Sequence, residues 1–432
     1  MKKALLATLV ASIFAAIPAH ADEADLVRRM ERLGQELEAI KAELAQMKRE
    51  KAAPASAVPA GAPSPVDVAR AMGSAPKIYE EIAKTTFFGY GELNYNRPRK
   101  DSGASTADAR RIVLGVEHRF DEKTRLATEI EFEHAVTSST DPGEAEIEQA
   151  YIEHILAPGL SAKAGLFLIP MGLLNEKHEP TYYYGVERNF VETAIIPSTW
   201  REGGLTVHGN AESGLSWDMG VTTGFDLSKW DPTSSEGRKS PLGSIHQELA
   251  LAKGKDLSAF GALNYRGIPG LLVGGAVFSG KASQGTADFP AANARVTIWD
   301  AHARWTPGSF DLSAVFARGH ISDTAAFNLT LVGNPTLVPE EFYGWYVQGA
   351  YRLWRSGEMA FTPFVRYERF NTASKFASLP DGLGPDATPA EKVWTGGFNF
   401  YLNPNVVFKA DYQKFKLDST RDRFDLGVGY QF

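Results

Sequence analysis

The stretch Arg423-Phe424-Asp425-Leu426-Gly427-Val428-Gly429-Tyr430-Gln431-Phe432 alternates large apolar residues with small or polar ones and ends on an aromatic. In an extended strand successive side chains point to opposite faces. Phe424, Leu426, Val428, Tyr430 and Phe432 therefore share one face, and Asp425, Gly427, Gly429 and Gln431 share the other. A wall with lipid on one side and water on the other needs this pattern, and so does the edge strand of a soluble sandwich. Recurrence of the pattern upstream separates the two.

It does recur. From Phe87 onward, stretches of about ten residues with a period of two are separated alternately by short and by much longer connections, the signature of a transmembrane barrel. The pattern pairs 87–95 with 111–119, 124–133 with 146–155, 160–169 with 203–208 and 214–224 with 257–266. It then pairs 270–280 with 294–305, 309–318 with 343–353, 359–370 with 392–402 and 405–416 with 422–432. The expected fold is all-β, a sixteen-stranded antiparallel barrel. Short turns fall at Asp121-Glu122-Lys123, Ala157-Pro158-Gly159, Gly209 to Ser213, Gly267-Ile268-Pro269, Thr306-Pro307-Gly308, Arg355-Ser356-Gly357 and Asn403-Pro404. Most carry the Gly, Pro or Asn that tight turns favour. The apolar triplet Leu249-Ala250-Leu251, within 243–254, would make an odd seventeenth strand, so parity assigns it to a loop helix.

Charge placement supports an aqueous interior, because ionised groups in strand centres are tolerated only toward water. Glu129, Glu131 and Glu133 form an acidic row opposing Leu126, Ile130 and Phe132. Gln348 and Arg352 oppose Val347 and Tyr351, and Lys409, Asp411 and Gln413 oppose Phe408 and Tyr412. Aromatics near strand ends, among them Tyr95, Trp299, Trp305, Trp354, Trp394 and Tyr430, suit the interfacial girdles of such a barrel.

Lys2 and Lys3, the apolar run Ala4 to Ile17 and the small-residue site Ala19-His20-Ala21 read as a secretory signal peptide over 1–21. Residues 22–51 carry a heptad seam of Leu26, Met30, Leu33, Leu37, Ile40, Leu44 and Met47 with mixed charges on its flanks. About three heptads are marginal alone. The helix is expected to self-associate as a coiled-coil stalk, the other reading being that it lies on a partner. Residues 52–86 begin with an Ala/Pro-rich linker, and 87–432 form the barrel. The balance of 45 basic against 52 acidic residues gives nucleic acid no footprint, and the absence of cysteine excludes disulfides and thiolate chemistry.

The connection at 170–203 is rich in groups able to project into a lumen. Its segments Glu187-Arg188-Asn189-Phe190 and Ile196-Pro197-Ser198-Thr199-Trp200-Arg201-Glu202-Gly203-Gly204 resemble the third-loop region of the phosphate-selective porin O and P family. The resemblance continues through Leu263-Asn264-Tyr265-Arg266 and Val277-Phe278-Ser279-Gly280 to the terminal strand, which is also similar to the C-terminal signal of bacterial outer-membrane proteins. It implies a homotrimeric outer-membrane porin in outer-membrane lipid, with the N-terminal segment in the periplasm and Phe432 presented to the barrel-assembly machinery. The third loop would fold inward and narrow the passage for small hydrophilic solutes, with anions such as phosphate as cargo. Fixed positive charge along a narrow wet path concentrates anions. The resemblance thus makes Lys177, Arg188 and Arg201 in the loop, with Arg111, Arg119, Lys163, Arg266, Arg304, Arg352, Arg366 and Lys409 on strands, the candidate anion path. The acidic row Glu129, Glu131 and Glu133 departs from a purely basic lining.

The nine histidines show no His-x-x-x-His spacing, and there is no Gly-x-Ser-x-Gly elbow. No catalytic set, metal or cofactor is implied. The competing class is a structural tether or adhesin that uses the N-terminal helix and keeps the barrel as an anchor. An inward-folded 170–203 segment would favour transport, and a surface-projecting one adhesion.

Overall fold

The computed structural model describes residues 84–432 apart from 139, 142 and 381. The signal peptide, the heptad seam and nearly all of the linker lie outside the described residues. The strands are β1 (Thr85–Pro98), β2 (Thr106–Arg119), β3 (Thr124–Glu133), β4 (Glu144–Ala157), β5 (Leu160–Leu168), β6 (Arg201–Asn210), β7 (Leu215–Thr222) and β8 (Ser258–Tyr265). They continue as β9 (Leu271–Lys281), β10 (Arg295–Trp305), β11 (Phe310–Ile321), β12 (Glu341–Tyr351), β13 (Met359–Lys375), β14 (Glu391–Asn403), β15 (Val406–Phe415) and β16 (Arg423–Gln431). A short piece, Trp354–Ser356, resumes β12 after an interruption at Arg352 and Leu353 and pairs with Met359–Phe361 of β13. Each strand is antiparallel to its sequence neighbour. β1 closes on β16, with Tyr90 opposite Gln431 and Pro98 opposite Arg423. Phe432 adds to the seam through its N–H to the Gly89 carbonyl at 2.9 Å.

Closure satisfies every strand edge, which is what a sheet in hydrocarbon requires. Among the described residues no helix is long and apolar enough to cross a membrane. Ile130, Phe132, Val347, Phe408, Phe424 and Leu426 are exposed on the outer wall, whereas Glu131, Lys409, Asp411, Gln413 and Asp425 are buried inside. The alternation in the terminal strand therefore has its expected sense. The seven short connections fall at the expected turns. Long connections alternate with them, so both strand termini of the barrel lie on the short-turn side, which is periplasmic in barrels of this kind.

Two details differ from the expectations. Residues 243–254 stay out of the sheet, as parity requires, but form turns rather than a helix. Glu248, Leu249 and Leu251 have φ of 51°, 58° and 53°, a left-handed backbone that no right-handed helix accommodates. In addition β6 begins at Arg201, which pairs with Leu168. Arg201 is thus a strand residue and the loop spans 169–200.

The long connections pack inward and bring an apolar core with them. Trp200 is fully buried, with ring centroids 4.6 Å from Phe278 on β9 and 5.1 Å from Phe225 in the following loop. Ile195, Ile196, Leu227, Leu242, Ile245, Ile298 and Phe342 complete this cluster. It fixes the root of the 169–200 loop to the inner face of β8–β12.

Candidate functional site

Beyond its root, the 169–200 loop reaches the far wall, bonds to inward-facing groups of β1 and β11–β15 and lies close against β16. The Val186 N–H donates to Asp411 Oδ2 at 2.6 Å, Asn399 Nδ2 donates to the Tyr183 carbonyl at 3.0 Å, and the Tyr401 hydroxyl donates to the Thr181 carbonyl at 3.2 Å. The Tyr183 hydroxyl donates to Glu92 Oε2 at 2.6 Å, and Asn96 Nδ2 reaches Glu187 Oε1 at 3.0 Å. On the other flank the Phe190 N–H donates to Glu368 Oε1 at 2.7 Å, and Arg366 Nη1 to the Tyr184 carbonyl at 3.1 Å. Glycine on β16 makes the approach feasible. A Cβ at Gly427 would stand 3.1 Å from Val186 Cγ1, and one at Gly429 2.5 Å from Pro180 Cβ.

Glu192 is the internal anchor of the loop, within the single wide helical turn Val191–Ile195. Its Oε1 accepts from the N–H groups of Leu173 at 2.5 Å and Leu174 at 2.7 Å. Its Oε2 accepts from Asn189 Nδ2 at 2.7 Å and from the Tyr346 hydroxyl of β12 at 3.0 Å. Burial pushes this carboxyl above the ordinary glutamate range while the four donors pull it back. Burial and the adjacent Glu92 likewise hold the Tyr183 hydroxyl in its neutral form.

Water-filled space is divided accordingly. A cavity of about 590 Å³ on the short-turn side is lined by Arg119, Arg125, Lys163, Glu176, Asp218 and Arg266 among others. One of about 730 Å³ on the long-loop side is lined by Thr193, Arg238, Lys239, Asn371, Glu391 and Arg421. Between the loop and β10–β13 only about 20 Å³ remains, bounded by Tyr182, Tyr183, Tyr184, Arg304, Gln348 and Arg366.

The basic candidates separate into two groups. Arg111, Arg188, Arg201 and Arg366 are buried and engaged. Arg111 meets Glu92 at 2.9 Å and Glu131 at 3.0 Å, with Glu133 at 3.8 Å. Arg188 donates to Ser198 Oγ and Thr199 Oγ1, Arg201 pairs with Glu146 and Glu248, and Arg366 pairs with Glu368 at 2.8 Å. Buried Lys409 instead has its ammonium 3.5 Å from the Tyr183 ring centroid, and Nζ has no hydrogen-bond acceptor. Lys177, Arg119 and Arg352 are exposed. Lys177 belongs with Arg304 on β10. Arg304 stacks on the Tyr182 ring at 4.5 Å, Lys177 lies over the same ring at 5.7 Å, and Asp311 pairs with Arg304 at 2.6 Å.

Sequence reading takes the tyrosine run at 182–184 for loop packing or rim, and it missed the structural role of Asn399 and Tyr401. Their signal was present only as inward parity on β14 and as a hydrophilic, aromatic loop. It also missed two bulges. Glu92 faces Arg111 and Leu93 faces Ala109, leaving Arg110 without a partner; Glu129 faces Gln149 and Ile130 faces Ile147, leaving Glu148 without one. Bulges re-aim side chains. Here the second turns Glu148 fully into the barrel beside Glu131 and His178.

With this geometry in hand, comparison with known proteins yields three kinds of likeness. A family model described as phosphate-selective porin O and P matches residues 279–424, about a third of the chain. A curated relative from Aquifex aeolicus (strain VF5), described as an uncharacterized protein, is 27% identical over 372 residues, 83% of this chain and 82% of its own. Among solved structures, Salmonella typhi OmpF in complex with daunomycin superposes with a TM-score of 0.54 at 15% identity over 81% of this chain and 97% of its own. The anion-selective porin from Comamonas acidovorans gives 0.50 at 10% identity over 81% and 99%. The chain has the fold of a channel-forming outer-membrane porin.

Proposed function

We propose that this barrel is a passive diffusion channel for small hydrophilic solutes, narrowed by the 169–200 loop and favouring small anions such as phosphate. The observation that carries the reading is the set of hydrogen bonds from the loop to inward-facing groups on β1 and β11–β15. A segment so engaged has few polar groups left for an external partner, which favours transport over a tether or adhesin. The anion preference rests on part of the set the sequence suggested. Paired, buried arginines such as Arg111 and Arg201 have their charge compensated and act as braces for wall and loop. Solvated positive charge faces the path at Lys177 and the wider cavity at Arg119 and Arg266, with half-buried Lys163 beside them, where it raises local anion concentration; Arg304 and Arg125 are paired with Asp311 and with Glu117 and Glu153. The partial match to a family described as phosphate-selective agrees with this reading.

Purified, folded protein in planar bilayers tests it. Discrete single-channel currents are expected, with a reversal potential in a salt gradient displaced toward the anion equilibrium and a chloride current lowered by added phosphate. Current indifferent to phosphate and without ion preference would remove the anion part. Absence of current would overturn the channel reading and favour the tether.

A further inference from the structure

The two bulges flank a charge cluster that the transport reading does not use. Glu92, Glu129, Glu131 and Glu148 converge on one guanidinium, Arg111, and one imidazole, His178. Arg111 bonds Glu92 and Glu131, which leaves Glu129 and Glu148 with no arginine or lysine ion pair. Buried carboxylates in excess of cations are costly until a proton or a cation joins them. Glu148 is 0% exposed, and its Oε1 has no hydrogen-bond partner.

The histidine is set as a ligand would be. His178 Nδ1 lies 2.9 Å from the Asn175 carbonyl, a pure acceptor, so Nδ1 carries the proton and in the neutral ring Nε2 presents its lone pair. Nε2 is 3.6 Å from Glu148 Oε1, close to the edge of about 3.4 Å expected between two ligands at tetrahedral zinc. One ligand atom each from Glu129, Glu148 and His178 lies within 4.8 Å of the others. Tyr90 cannot satisfy both neighbours: its hydroxyl is 2.6 Å from Nε2 and 3.1 Å from Glu148 Oε2 but has a single proton to give. Glu129 and His178 also line a cavity of about 240 Å³, with room for water to complete a coordination shell.

We infer that Glu129, Glu148 and His178 form a binding site for one divalent transition-metal cation, of the zinc or cobalt kind that accepts mixed carboxylate and imidazole ligands. The site pins the loop, through His178, to β3 and β4. It uses residues distant in sequence, so no local spacing announces it. The alternative occupant is a proton: His178 protonated at Nε2 donates to Tyr90, and Tyr90 donates to Glu148.

The test uses the folded, full mature chain in detergent after chelator treatment and dialysis. Co²⁺ is titrated with visible absorption and Zn²⁺ with calorimetry. One equivalent is expected to bind with a micromolar or tighter dissociation constant, and Glu148→Gln and His178→Ala should each weaken it at least about tenfold. Heat-modifiable gel mobility checks that each variant is folded. Zinc-edge X-ray absorption of the wild-type complex gives a readout independent of any variant, with one imidazole nitrogen expected in an otherwise oxygen shell. No saturable binding below millimolar metal, affinity unchanged in both folded variants, or an oxygen-only shell would overturn the site.

Discussion

Glu192→Ala should raise single-channel conductance several-fold and make the current noisy, while the barrel keeps its folded gel mobility. The carboxylate accepts from four donors inside a buried loop. Truncation leaves the N–H groups of Leu173 and Leu174, the Asn189 amide and the Tyr346 hydroxyl without that acceptor, at about 1–3 kcal/mol for each left unsatisfied. The strands have their own ladder and do not depend on this turn, so the loss falls on the loop. A loop that no longer holds its turn exposes the path beside Tyr182–Tyr184. Glu192→Gln keeps the shape and one good acceptor, and should lie between the two. Bilayer recordings of all three proteins check the order; equal conductance would mean that the loop does not limit flow.

Reversing the two cations at Tyr182, by Lys177→Glu with Arg304→Glu, should convert anion preference into cation preference. The substitutions change the local charge by four units. At roughly 4 Å each unit charge is worth about 1 kcal/mol even at the dielectric of bulk water. A shift of at least about tenfold in the anion-to-cation permeability ratio follows, read from the reversal potential in a salt gradient and reduced at high ionic strength by screening. By contrast Arg188 and Arg201 are loop braces. Their replacement should act through loop position and folding yield more than through selectivity, since Arg188 holds Ser198 and Thr199 together and Arg201 ties Glu146 on β4 to Glu248.

Much of the barrel was legible because lipid imposes a simple rule. Every outward position must be apolar and every charge must face water, so the terminal strand and the row Glu129-Glu131-Glu133 reveal their faces by parity alone. Turn residues such as Pro307-Gly308 and Asn403-Pro404 fix the ends, and an even strand count excluded 243–254. That segment's backbone was not legible, because Glu248, Leu249 and Leu251 adopt left-handed conformations that local propensity does not announce. Period-two reading also fails at a bulge. Glu148 and Arg110 each shift the alternation by one residue, and that shift builds the densest charge cluster in the wall. Charge type, finally, says nothing of pairing. Arg111, Arg201 and Arg366 looked like an anion path until their carboxylate partners, contributed by other strands and loops, were placed beside them.

The central claim is that the 169–200 loop crosses to the far wall, and an engineered crosslink tests it most directly. The chain has no cysteine, so Val186→Cys with Gly427→Cys introduces a single possible disulfide. The 3.1 Å between a Cβ at 427 and the Cγ1 position of residue 186 matches the span of about 3 Å from Cβ to the partner sulfur across a disulfide. Oxidation of the folded protein should consume both thiols within one chain, seen by mass spectrometry, and leave the wild-type conductance nearly unchanged. Two free thiols after oxidation, in a protein that still runs as a folded barrel, would contradict the account.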